Sequence, residues 1–259
     1  MSTFDLSGTD ATASASGGLN RNHLMAAFWA AVGLSVLLPR IPHGRKLLYP
    51  FALLGVWIHE LGHAVASELT GGDVARMELY KGLGGVVWHS GAGRFTGAFV
   101  SAAGLLGPAF FGALIIIFSA RPKTSRYVLP VISVVAVLSV ILFIRNAFGI
   151  WSMSLIAAVL IPIAFKAPDI VRVFVAQLIG IQFCLASWGT WDYLFTDSIT
   201  IDGGPAPSDT GSIADALFLP YWFWGILIAA LSAAMLVWAF YVAWIKPFRG
   251  DGANSGSLT

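Results

Sequence analysis

The chain has 259 residues, of which 57% are hydrophobic and 11% charged, less than half the roughly 25% charge of an ordinary soluble domain. That balance excludes a soluble globular class and describes a polytopic membrane protein. A net charge of +2 without a basic stripe excludes a nucleic-acid partner. The single cysteine, Cys184, excludes a disulfide framework or cysteine metal cluster, so any metal must be held by His, Asp, Glu or Asn.

Residues 1–21 are rich in Ser, Thr, Ala and Gly and read as a disordered tail. The first apolar run, Leu24 to Pro39, ends at Arg40 and not at a small-residue cleavage site, so it reads as a retained first span. The second span covers about 47–69 and stops at Gly71-Gly72. Residues 73–94 are mildly polar and punctuated by glycines, and Gly84 to His89 reads as a short strand or hairpin. A third span, about 95–119, has a small-residue centre suited to close helix packing, with Pro108 as a kink. The fourth and fifth spans, about 127–144 and 147–165, form a tight hairpin around Arg145-Asn146. The sixth covers about 171–192. An acidic Gly/Pro-rich segment then carries Asp192, Asp197, Asp202 and Asp209, and an amphipathic piece follows from Ser212 to Phe218. The seventh span covers about 220–245, and 250–259 is a polar tail. The expected fold is therefore all-α and polytopic, with about seven transmembrane helices and a small β-hairpin after the second. Its membrane domain spans 22–249 between the two tails.

Ten of the fifteen Lys and Arg residues fall on one set of loops and five on the other. The positive-inside rule then expects the C-terminus in the cytoplasm and the N-terminus outside, as in a multi-pass protein of a bacterial cell membrane. Spans two, four and six run in the same direction. The C-terminal end of span two, Asn146, Asp192 and Asp209 therefore converge on one side of the bilayer.

The second span holds the sequence His59-Glu60-Leu61-Gly62-His63. On a helix, His59 and His63 lie one turn apart on one face, so both imidazoles reach the same metal ion. Glu60 points off that axis, where it can hold and deprotonate a water on the metal. Polar groups are costly in hydrocarbon, which makes two histidines and a glutamate in mid-span a sign of function.

A catalytic metal of this kind needs a third protein ligand, and two aspartates qualify. Asp209 follows Ser208 and opens the segment before span seven; the plain alternative is helix capping. Asp192 ends span six between Trp191 and Tyr193, where the alternative is an interfacial aromatic belt. Asn146 is placed to hydrogen-bond a substrate backbone or support the site, or else is simply a polar turn residue. Glu68 reads as solvated at a helix end. His23, His43 and His89 have no spacing partner and read as surface residues.

With these residues placed, the chain resembles the M50 (site-2-protease-like) intramembrane zinc metallopeptidases, and most closely their M50B-like branch. The resemblance rests on His59-Glu60-Leu61-Gly62-His63, the glycine-punctuated hairpin after it, Ala103-Gly104-Leu105-Leu106-Gly107-Pro108, Arg145-Asn146-Ala147-Phe148-Gly149, and Ser208-Asp209 leading to Pro220. It covers about 47–245. It implies Zn2+ held by His59, His63 and Asp209, with Glu60 as general base and Asn146 in substrate binding. The substrate would be a membrane protein or membrane-associated peptide in or beside the lipid bilayer. The chain departs from better-known members in having no Asn-Pro-Asp-Gly or Leu-Asp-Gly motif inside a span; Ile201-Asp202-Gly203 lies in a polar loop. The competing class is a non-proteolytic membrane protein with a metal site: a scaffold, a pseudo-protease or a small-solute transporter. No internal repeat of the transporter kind is visible.

Overall fold

A computed structural model of the chain describes residues 20–90, 93–189, 191–201 and 203–246. The two expected tails lie outside the described residues, apart from positions 20 and 21. The first helix, α1 (Arg21–Leu37), is capped by the Asn20 side chain, which accepts from the His23 N–H at 3.0 Å. After a short 3-10 turn the chain enters α2 (Gly44–Leu69), 26 residues long, with Pro50 near its start. Thr70 closes α2 by donating its hydroxyl to the Ala66 carbonyl at 2.7 Å. Gly71, at φ +81°, then turns the chain back on itself.

The returning segment is an antiparallel hairpin, β1 (Asp73–Tyr80) with β2 (Gly84–Ser90), longer than the sequence pattern alone marked out. Alternation gives it an inner face. Met77 and Leu79 are fully buried and join the core with Leu61 and Ala64 of α2. The Glu68 carboxylate is exposed, as expected, and also accepts the Val74 N–H at 3.0 Å, which pins the start of β1 to the end of α2.

The helices α3 (Arg94–Ser119), α4 (Pro122–Leu142), α5 (Ala147–Lys166) and α6 (Asp169–Gly189) follow. α3 and α6 cross at Gly112 and Gly180, where a side chain on Gly112 would strike the Gly180 carbonyl at 2.7 Å. Without a hydrophobic drive between helices in lipid, such close backbone approach is a main source of association. A short turn of helix, α7 (Trp191–Leu194), leads into a second hairpin, β3 (Ser198–Ile201) with β4 (Gly204–Pro207), where the sequence suggested only an acidic loop. Ile201 ends β3 and Gly203 precedes β4, and Asp202 lies outside the described residues. α8 (Asp209–Leu217) then packs on α3, and α9 (Tyr221–Phe240) ends in a π-helical turn, Tyr241–Ile245.

Among the described residues, six helices are long and apolar enough to cross a membrane, against the seven spans expected. The difference is α2. It is as long as α3, but it carries Arg45, Lys46, Glu60 and Glu68 as well as two histidines. It packs against α3 and α6, which buries Glu60 and His63 in protein, while Arg45, Lys46 and Glu68 near its two ends stay exposed.

Candidate metal centre

His59 and His63 leave the same face of α2, one turn apart, with their Nε2 atoms 3.1 Å from each other. Asp209 arrives from the far end of the chain. Its Oδ2 is 3.3 Å from the Nε2 of each histidine. The three ligand atoms lie within 4.8 Å of one another, close enough for one ion to bind all three.

Each donor is held by neighbours. Nδ1–H of His63 donates to the Val100 carbonyl on α3 at 3.0 Å, which leaves the Nε2 lone pair facing the site. Gly104, also on α3, lies flat against that imidazole, and a Cβ there would overlap its Cε1 and Nε2. The small-residue stretch of α3 is therefore what lets His63 stand upright between two helices. Ser208, not Asp209, caps α8: its hydroxyl accepts the Gly211 N–H at 3.0 Å. Asp209, in the first turn, is left free to turn toward the histidines. Ser208 is itself fixed, its N–H donating to the Asp197 carbonyl at 2.9 Å and its hydroxyl to the Thr196 carbonyl.

Sequence reasoning missed Tyr193. Its hydroxyl donates to Oδ2 of Asp209 at 3.0 Å, and its ring packs edge-on to His59. Burial, then the charge of Asp209, pushes the phenol above its ordinary pKa and keeps it a neutral donor. For Asp209 burial works in the same direction. It favours the neutral acid, but the two imidazoles more than offset it and hold the carboxyl well below its ordinary value. Only the Trp-Asp-Tyr context after span six could have signalled Tyr193, and there it reads as an aromatic belt. The Asp192 side chain lies outside the described residues.

Glu60 is 5% exposed, beneath β2. A Cβ on Gly85 would come within 2.7 Å of its Oε1, so only glycine lets the strand pass over this carboxylate. Asn146 is in the α4–α5 turn and is engaged with β1. Its Oδ1 accepts from the Leu79 N–H at 3.1 Å, and its Nδ2 donates to the Leu79 carbonyl at 2.6 Å. Beside it, the Met77 N–H donates to the Phe143 carbonyl at 2.8 Å, and the Arg145 N–H to the Met77 carbonyl at 3.0 Å. The α4–α5 turn thus takes up the outer edge of β1. The outer edge of β2 has no partner strand among the described residues.

These residues suit a cation. Two imidazole nitrogens 3.1 Å apart, facing a carboxylate held ionised, place electron-rich atoms around one point, an arrangement that a divalent ion neutralises. The class is then a helical membrane bundle with two histidines and one carboxylate able to hold a metal. The chain belongs to the Peptidase M50B-like family, whose model matches residues 25–239. It is a multi-pass membrane protein of a peptidase family, with His59, His63 and Asp209 able to hold a metal. No curated protein and no solved structure matches it significantly.

Proposed function

We propose that this chain is a zinc-dependent peptidase that hydrolyses peptide bonds within or beside the bilayer. The observation that carries this reading is the convergence of His59, His63 and Asp209 on one point, with the Glu60 carboxylate beside them under a strand whose outer edge has no partner among the described residues. His59, His63 and Asp209 would hold the ion. When bound, zinc would supply Lewis-acid polarisation of the scissile carbonyl and acidify water.

The remaining work falls to the chain. A helical substrate hides its carbonyls in its own hydrogen bonds, so the segment to be cut must unwind, and β2 offers it an edge on which to pair. Gly85 keeps that edge close to Glu60. Glu60 takes a proton from the attacking water and returns it to the leaving amine. Tyr193 keeps Asp209 oriented. Asn146 acts on the substrate through the sheet, by fixing β1 and so the strand next to it.

The ten-to-five division of basic residues supports a cytoplasmic C-terminus in a cell membrane. A reporter fused after Thr259 should read as cytoplasmic, and one in the 197–209 segment as external. The opposite pattern would reverse the orientation.

The deciding experiment uses protein reconstituted in vesicles with a library of single-span peptides. Glu60→Gln is nearly isosteric and removes the base. It should keep about one zinc per chain and lose roughly 100-fold or more in cleavage. His59→Ala with His63→Ala should lose the metal. Equal processing by wild type and Glu60→Gln would remove Glu60 as the base. Processing by neither would favour a pseudo-protease that binds membrane segments without cutting.

A further inference from the structure

One imidazole near this site has no role in the scheme above. His89 is on β2, and cross-strand pairing fixes the face it occupies. Leu79 pairs with Gly85 and Met77 with Val87. Because Leu79 and Met77 are fully buried, Gly85 and Val87 are on the inner face of the hairpin, with Gly85 over Glu60. Alternation by two residues puts His89 on the same face. The register break falls on β1, between Val74 and Arg76, so the alternation of β2 is unbroken. It also brings Val74 opposite His89, and Val74 packs against the same core. The outer face is marked by Trp88, over which the Arg76 guanidinium stacks at 3.9 Å.

The position along α2 is fixed as well. Gly85 lies at Glu60, and at the other end the Ser90 carbonyl and Ser67 both abut Gly72. β2 therefore runs along α2 from Glu60 toward Ser67, and His89, next to last, lies along this stretch of α2, which includes His63. The ring is exposed and has no hydrogen-bond partner among the described residues. It is close enough to sense the charges of both His63 and Asp209. Burial and the repulsion of His63 together pull its pKa below the ordinary imidazole value, with Asp209 opposing, so at neutral pH it is an uncharged N–H donor.

We propose that His89 is a further catalytic residue, whose ring N–H hydrogen-bonds the oxygen of the scissile carbonyl as negative charge develops on it. The proposal rests on the peptidase reading above. As the water oxygen bonds to the carbonyl carbon, the C=O π pair moves onto the carbonyl oxygen, and the water proton goes to Glu60. His89 donates a hydrogen bond and keeps its proton. When the tetrahedral species collapses, the C–N bond breaks and the amine leaves with the proton from Glu60. A substrate paired to the free edge of β2 places its backbone beside this inner face. Fixed donors of this kind act where charge appears in the transition state, and removing one costs about 100-fold or more in rate.

The test uses full-length zinc-loaded protein in detergent, a single-span peptide that wild type cleaves, and a peptide phosphinate whose tetrahedral phosphorus imitates the addition species. His89→Ala should lower kcat by about 100-fold with KM within about twofold, and should weaken phosphinate binding comparably. Zinc content and melting temperature should not change. His89→Gln, whose side-chain amide also donates, should recover part of both losses. If His89→Ala keeps kcat and phosphinate affinity within twofold of wild type, the proposal is wrong. Loss of zinc in His89→Ala would also overturn it, in favour of a metal-holding role. If wild type neither cuts any peptide of the library nor binds the phosphinate, the peptidase reading fails and takes this one with it.

Discussion

Two regions of the bundle obey different rules. In α3, 67% of the apolar stretch is buried, and in α6 56%; in α1, α5 and α9 the figure is 28%. The central pair and α2 meet through glycines and small residues, and the polar groups Glu60, His63, Ser208 and Asp209 are all buried beside them. The outer helices present large apolar side chains such as Trp151, Phe165 and Val237. Lipid is as apolar as these side chains, so the outer shell needs hydrophobicity and little shape. The centre must bring charged atoms to within hydrogen-bonding distance inside the bundle, so shape at single backbone positions decides whether it works.

Substitutions that touch no ligand should expose this difference. The largest effect is expected at Gly104, where any side chain overlaps the His63 ring. Gly104→Val should push His63 out of line and abolish stoichiometric metal binding, read by metal analysis after chelator competition. Gly97→Ala on the same helix has open space around it and should bind metal like wild type. Equal loss in both would mean that α3 tolerates no bulk anywhere and that the central site is not special.

Next comes the clamp on the hairpin. Asn146→Ala removes two hydrogen bonds to Leu79 and leaves that backbone pair unmatched, a cost of about 2 kcal/mol. Faster amide exchange across Met77 to Tyr80, with metal content unchanged, is the expected signature. If exchange is unaffected, Met77 with Phe143 and Arg145 suffices to hold β1.

A smaller effect belongs to Tyr193. Tyr193→Phe leaves the ring and deletes the donor to Asp209. Metal affinity should fall by about tenfold, as is typical when the partner of a metal ligand is removed. A competition titration that finds no change would show Ser208 and the α8 N-terminus to be sufficient for placing Asp209.

The smallest effect should come from the shell. Phe165→Leu, on the exposed face of α5, should change thermal stability by less than about 0.5 kcal/mol and leave metal binding alone. A large loss there would mean that the outer helices are also fitted by shape.

The helices were legible because they are long apolar runs broken by Gly, Pro and basic residues. α3, α4, α5 and α9 begin and end within a few residues of the expected spans. The first hairpin was legible from the glycines around Gly84. The second was not, because Ser198 to Pro207 is short, and the prolines in its second strand argue against a sheet. The histidine pair and Glu60 were legible because one helix carries all three, so spacing alone sets their geometry. Spacing could not reveal Tyr193 or the pairing of Asn146 with Leu79, since each meets its neighbours across a large loop of chain.

By itself, then, the sequence determined a polytopic helical bundle and two nitrogens one turn apart, because helix periodicity and the hydrophobic requirement of the bilayer are local properties. It left the third oxygen open between two aspartates. Tertiary structure brought Asp209 to 3.3 Å from both histidines. That closure depends on Ser208 taking over the cap, on α8 packing against α3, and on Gly104 making room for His63. These are long-range packing events, and no local pattern encodes the position at which two distant segments meet.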